Sequence, residues 1–224
     1  MSFGDKKLSE IAVSVPGSTS LLRKYDLDFC CGGSDTLVNA AAEKGLNLAE
    51  IETRLTELQN SKAENPEEYW VNATYPEIID HILVRYHQRH REQLQELIVL
   101  ADRVESVHGD RDDCPIGVAA ELRNVYEDLS NHMMKEEHVL FPMIKAGNYM
   151  MAQMPIRMME MEHAEHGEHL DVLKSLTNNM TPPADACNTW RALYSGIQEF
   201  ADDLMMHIHR ENNILFPRVI AENH

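Results

Sequence analysis

Glycine and proline are scarce in this 224-residue chain, at 10 and 9 residues, and aromatic residues make up only 6%. With so few breakers, and with Ala, Leu, Glu and Met abundant, the composition favours helix almost everywhere. Sustained two-residue apolar alternation is missing, as is an Asn-Gly hairpin turn, so no strand is expected. Four cysteines do not make a disulfide framework, and a reducing compartment would keep them as thiols. No run of about 18 apolar residues exists that would span a bilayer. The first ten residues are charged and lack the apolar core of a secretory leader, so a cytoplasmic location is expected. Basic charge is short as well: 20 Lys and Arg face 37 Asp and Glu, a formal net charge of −17. That balance excludes nucleic acid and anionic membrane as partners, because phosphates are repelled at long range. The hydrophobic fraction of 43% still suffices for a core.

Two residue types are in excess, with 12 His and 13 Met. The pattern along the chain divides it into a small helical N-terminal domain (1–60), a linker (61–75) and a larger domain (76–224). Short helices are predicted at 9–15, 21–25, 36–44 and 48–58. Ser18, Thr19 and Ser20 are available to cap the second, and Asn47 the fourth. Cys30-Cys31-Gly32-Gly33 reads as a turn. Beyond residue 75 four long helices are predicted, A at 76–107, B at 116–146, C at 155–176 and D at 185–221. Short turn-rich breaks separate them, which gives an all-α, antiparallel up-down four-helix bundle.

An internal repeat carries most of the information. Helix B holds His132-Met-Met-Lys-Glu136 followed by Leu140-Phe141-Pro142; helix D holds His207-Ile-His-Arg-Glu211 followed by Leu215-Phe216-Pro217. Helix A holds His87-Gln-Arg-His90-Arg-Glu92, and helix C holds His163-Ala-Glu-His166-Gly-Glu168. The bundle therefore reads as two copies of one helical hairpin with its polar residues in register. These residues also lie on the apolar seams. Helix B runs Leu122, Val125, Leu129, His132, Glu136, Val139, Met143, and helix A runs Leu83, His87, His90, Leu94, Leu97. The steps alternate three and four, as a core stripe does. His169, His138 and His209 lie off the seams and read as surface residues, as does Glu162. The Met-rich run Met150–Met161 reads as core and helix-end packing.

An unpaired carboxylate in a bundle core costs several kcal/mol. Bridging metal ions would offset that cost. A spacing of four residues is about 400° of helix rotation, so His132 with Glu136, and His207 with Glu211, project the same way one turn apart. Four His and two Glu are too many for a closed tetrahedral zinc site. They suit two ions bridged by carboxylates, with mixed imidazole and carboxylate ligation favouring iron, then manganese. Spacing alone does not choose between His87 and His90, or between His163 and His166.

On these motifs the chain resembles the hemerythrin-like di-iron bundles. Lys24-Tyr25-Asp26 with Cys30-Cys31-Gly32-Gly33, His132-Met-Met-Lys-Glu136 and Glu211-Asn-Asn-Ile-Leu-Phe-Pro217 make it more similar still to the family that repairs iron–sulfur centres after nitrosative or oxidative damage. The resemblance implies His87, His132, His163 and His207 as terminal ligands and Glu136 and Glu211 as bridges between two non-haem irons, with an oxo or hydroxo bridge. His90 and His166 then support the ligands or simply fill the core. The resemblance also implies homodimers, nitric oxide or oxygen as the small ligand, and damaged iron–sulfur proteins as partners. It gives Cys30 and Cys31 a role in exchanging iron or a nitrosyl group, which a lowered thiol pKa at that turn would assist. Iron–sulfur cluster repair is the reading these features favour. Nitric oxide reduction at the di-iron centre is the alternative, which leaves open whether the protein is an enzyme. Oxygen binding or sensing is a third reading.

Overall fold

The computed structural model describes residues 2–61 and 64–222. Helix dominates it; among the described residues the only strand-like pairing is an antiparallel bridge between Lys7 and Thr36. The chain forms two compact units, residues 1–78 together with 206–224, and residues 79–205.

The first unit carries α1 (Leu8–Ser14), α2 (Ser18–Lys24), α3 (Leu37–Glu43), α4 (Leu48–Asn60) and α5 (Pro66–Asn72). Phe3, Leu8, Ile11, Leu22, Leu27, Phe29, Leu37 and Ile51 fill its interior. Thr36 and Asn47 cap α3 and α4 by accepting from the N–H of Asn39 and Glu50. The expected serine cap of α2 is not made. Gly17, at φ 72°, occupies the cap position, and the Ser18 hydroxyl turns inward to donate to the carbonyls of Ile11 and Val15. Within the stretch read as a linker, Pro66–Asn72 forms α5, with Pro66 in its first turn and the Asn65 side chain accepting from the N–H of Glu67.

The second unit is an antiparallel bundle of four helical runs. The first is α6 (Tyr75–His81), a π turn (Ile82–His87) and α7 (Gln88–His108); the next is α8 (Val118–Lys135), a π turn (Glu136–Leu140) and α9 (Phe141–Lys145). Next are α10 (Tyr149–Leu176) and α11 (Asn188–Arg210), the latter continuing through a π turn (Glu211–Leu215) into α12 (Phe216–Ala221) at the end of the first unit. Cross-bonds fix the antiparallel order. Arg85 reaches Asp203 and Arg89 reaches Glu199; Arg91 reaches Glu137 and Arg123 reaches Asp102. Gly196 lets α7 and α11 approach closely, since a Cβ there would lie 2.7 Å from Leu97 Cδ2. The third long helix begins at Tyr149, not near residue 155. Pro155 sits inside it, where its missing N–H costs one bond, to the carbonyl of Met151.

Most seam residues are buried as the pattern requires, and the departures coincide with π turns. The seam expected Leu83, Val139 and Met143 to be inward. Instead Ile82, Leu140 and Ile144 are buried, Leu83 and Met143 are intermediate, and Val139 is 44% exposed. Each π turn closes five residues back, from the N–H of Gln88 to the carbonyl of Leu83, from Phe141 to Glu136 and from Phe216 to Glu211. One extra residue per turn slips the inward face by one position.

Candidate metal centre

The three π turns fall at His87, Glu136 and Glu211. Their local cause in the second and third is Leu-Phe-Pro: neither Pro142 nor Pro217 has an N–H to donate, and each ring clashes with the carbonyl four residues back, so a wider turn is accommodated there. The turn sets the direction from which each glutamate enters the interior.

In the second unit Glu136 is 0% exposed. Its two carboxylate oxygens face different imidazoles: Oε2 lies 3.3 Å from His87 Nε2, and Oε1 lies 3.4 Å from His132 Nε2. His163 Nε2 lies 3.1 Å from His132 Nε2. The opposite ring nitrogens of two of these histidines are held from outside. His87 Nδ1 donates to Glu137 Oε1 at 2.8 Å, and His132 Nδ1 donates to Glu162 Oε2 at 2.9 Å. Arg91 and Lys135 hold those two carboxylates in turn, at 2.7 and 2.6 Å. The bond to His87 holds Glu137 down at about 2, reinforced by Arg91 against partial burial. The bond to His132 and the Lys135 ammonium do the same for Glu162, also to about 2. Both are therefore acceptors only, so each Nδ1 carries a proton, and each Nε2 is turned toward Glu136.

A cation among these imidazole nitrogens and the wholly buried Glu136 carboxylate would offset the cost of burying that charge. The donor set thus fits metal: imidazole nitrogens oriented by outer carboxylates, around a carboxylate whose two oxygens look toward separate donor groups. Its hardness and mixed N,O character suit iron. In the first unit His207 and Glu211 repeat the four-residue pair, with Nε2 and Oε1 3.3 Å apart and both side chains buried.

His87 and His163 stand at Glu136 and His132, whereas His90 bonds Gln93 and packs edge-on against Phe200, and His166 packs edge-on against the His132 ring. Glu162, read as a surface residue, is half-buried and orients His132. Glu137 was not singled out by the sequence; its signal was its place beside Glu136, with Arg91 on the facing helix. His209 is fully buried instead of solvent-facing. The Met-rich run is also corrected: Met150, Met151, Met154, Met158 and Met161 are exposed, and of its methionines Met159 alone is in the core.

Cys30 and Cys31 lie together in the first unit, sulfurs 3.8 Å apart, both outside any disulfide and beside the Asp28 carboxylate. Their environment does not lower the Cys30 thiol. The bond with Cys31, then burial and the nearby Asp28 charge, push it well above its ordinary value.

The hemerythrin HHE cation-binding domain family matches residues 78–219, and a domain of unknown function (ScdA_N) matches residues 4–59. The chain is 68% identical to a probable iron–sulfur cluster repair protein of Haemophilus influenzae over 222 residues, 99% of this chain and all of that one. It is 54% identical to the iron–sulfur cluster repair protein YtfE of Musicola paradisiaca, over 98% of each chain. It is likewise 54% identical to that of Escherichia coli O81, over 99% of each. The chain belongs to the iron–sulfur cluster repair family. In this family member the bundle is a hemerythrin-type cation-binding domain, and the donor set around Glu136 lies within its bounds. Among the described residues no helix is long and apolar enough to cross a membrane.

Proposed function

We propose that this protein holds two non-haem irons in its bundle and acts in the repair of iron–sulfur clusters damaged by nitric oxide or oxidative stress. The carrying observation is Glu136, wholly buried, with each oxygen turned to a different imidazole Nε2. In this reading His87, His132, His163 and His207 are terminal ligands and Glu136 and Glu211 the bridges. The sequence repeat supports adding His207 and Glu211, as does a family match that runs unbroken from 78 to 219. Glu137 and Glu162 keep the Nδ1 protons of His87 and His132, so the inward nitrogens stay available. The ligand residues would hold iron, which when bound would supply binding and redox chemistry for nitric oxide or oxygen. Cys30 and Cys31 are the point at which iron or nitric oxide is exchanged with damaged iron–sulfur proteins. The close relatives' names support the repair role, and the absence of basic excess supports a protein rather than a nucleic-acid partner. The reading includes a cytoplasmic homodimer.

The test is reconstitution. Protein loaded anaerobically with ferrous iron is expected to restore activity to a nitrosylated iron–sulfur enzyme, and Glu136→Ala is expected to bind less iron and restore little. Iron-loaded wild-type protein that restores nothing overturns the repair role. Catalytic nitrous oxide production by reduced protein would replace it with nitric oxide reduction, and a stable reversible oxygen adduct would replace it with oxygen binding.

A further inference from the structure

Beyond two apolar exchanges, the two copies of the His-x-x-x-Glu turn diverge at four further positions, and that divergence has a direction. Met134, Lys135, Glu137 and His138 of the first copy correspond to His209, Arg210, Asn212 and Asn213 of the second. In the first copy Met134 is 50% exposed, Lys135 and His138 are exposed, and Glu137 serves His87. In the second copy all four serve the N-terminal segment. The His209 ring is buried edge-on to Phe29, with centroids 5.4 Å apart. Arg210 pairs with buried Glu67 and lies over the Trp70 indole at 4.7 Å. Asn212 Nδ2 donates to the carbonyl of Cys30 at 2.9 Å, and Asn213 Nδ2 donates to that of Phe29 at 2.8 Å and to His209 Nδ1 at 2.8 Å.

The loop is shaped to meet them. The Asp28 carboxylate accepts from the backbone N–H of Cys30, Cys31 and Gly32 at 3.0, 2.9 and 2.8 Å. The amides are thus gathered on Asp28, while the carbonyls of Phe29 and Cys30 are left for the two asparagines. Gly33 allows the close fit: a Cβ there would sit 2.5 Å from the Phe29 carbonyl oxygen and 3.3 Å from Asn213 Oδ1.

We propose that Asn212 and Asn213 are positioning residues that clamp the Cys30–Cys31 pair to the π turn opening at Glu211, so that thiol reactivity and the ligand state of Glu211 are coupled. Asn212 follows Glu211 directly, and both belong to one π turn, in which the N–H of Phe216 donates to the carbonyl of Glu211. That turn cannot re-aim Glu211 without moving the amide that holds the Cys30 carbonyl. Coupling of this kind is reciprocal, so iron on Glu211 is felt at the thiols. The coupling rests on Glu211 being a ligand, as read above; the clamp itself does not.

The experiment measures alkylation of Cys30 and Cys31 by iodoacetamide in the full-length protein, metal-free and iron-loaded, by peptide mass spectrometry, with bound iron counted in parallel. In wild type, iron loading is expected to slow alkylation of the pair at least fivefold. In Asn212→Ala/Asn213→Ala both thiols are expected to react at one fast rate whether or not iron is bound, and Asn212→Gln, which keeps an amide donor, is expected to recover most of the iron dependence. If the double variant does not fold, Asn212→Ala alone removes the bond to Cys30 and gives the same comparison. Variants that react faster but keep the wild-type ratio between loaded and metal-free protein would reduce the asparagines to docking contacts and overturn the proposal. Wild type with full iron and unchanged rates overturns the coupling alone. Wild type that binds no iron overturns the ligand reading and the coupling with it.

Discussion

Glu136 is wholly buried, and its two oxygens face the Nε2 atoms of His87 and His132. Such a residue weakens a metal-free protein and strengthens a loaded one. Glu136→Leu is therefore expected to raise the stability of metal-free protein by about 1–3 kcal/mol in urea denaturation while sharply lowering its iron content. A loss of stability in the metal-free variant would mean that the glutamate is held by protein groups alone. One bond further out, Glu137→Gln and Glu162→Gln each replace an acceptor-only carboxylate at an Nδ1–H with a neutral amide and are expected to weaken iron binding by about 10–100-fold, read by competition with a chelator. Cys30 gives a pH-dependent outcome. Its folded-state thiol is raised by the bond to Cys31, by burial and by Asp28. Its contribution to stability is therefore complete below the unfolded thiol's value of about 8.5, and is lost as pH rises through the higher folded value. Urea midpoints are expected to hold steady up to about pH 8 and fall above it, less steeply in Cys30→Ser. At this scale the inward polar residues were legible because each interrupts an apolar stripe. His209 and Glu162 were not, because what buries them is a partner distant in sequence, Phe29 and Glu67 for one and His132 for the other.

Helix ends and order follow from breakers and periodicity, but the π turns do not. A seam extrapolated at steps of three and four passes through Leu83, Val139 and Met143, whereas a five-residue closure at each of these places moves the buried face by one. The hint was Leu-Phe-Pro, repeated after Glu136 and Glu211. Pro142→Ala restores an N–H that can bond the His138 carbonyl, which favours an ordinary α turn. The expected result is unchanged helix content by circular dichroism, unchanged or higher thermal stability, and iron affinity about tenfold lower because Glu136 is re-aimed. Unchanged iron affinity would show that the turn is held by packing and not by the proline. The exposed methionines of α10 mark the opposite limit. The helix was legible, but a long helix rich in methionine looks apolar on every side, and periodicity does not say which side meets solvent.

For the molecule as a whole, the formal net charge of −17 repels itself in the compact state, and buried carboxylates add to that load. Cations relieve both, in ways that can be separated. Specific ligands stabilise in proportion to the logarithm of their concentration over Kd, about 2.7 kcal/mol at one hundred times Kd. For a chain of this size that corresponds to a rise in Tm of roughly 5–10 °C. Magnesium at matched ionic strength screens the surface but is a poor ligand for imidazole, so its effect is expected to be about 1 °C. Ferrous iron under anaerobic conditions should give the full rise in wild type and only the magnesium-sized rise in Glu136→Leu, with a chelator reversing the first. Equal shifts from the two metals in wild type would assign the effect to surface charge, and the bundle interior would then need another account of its buried acid.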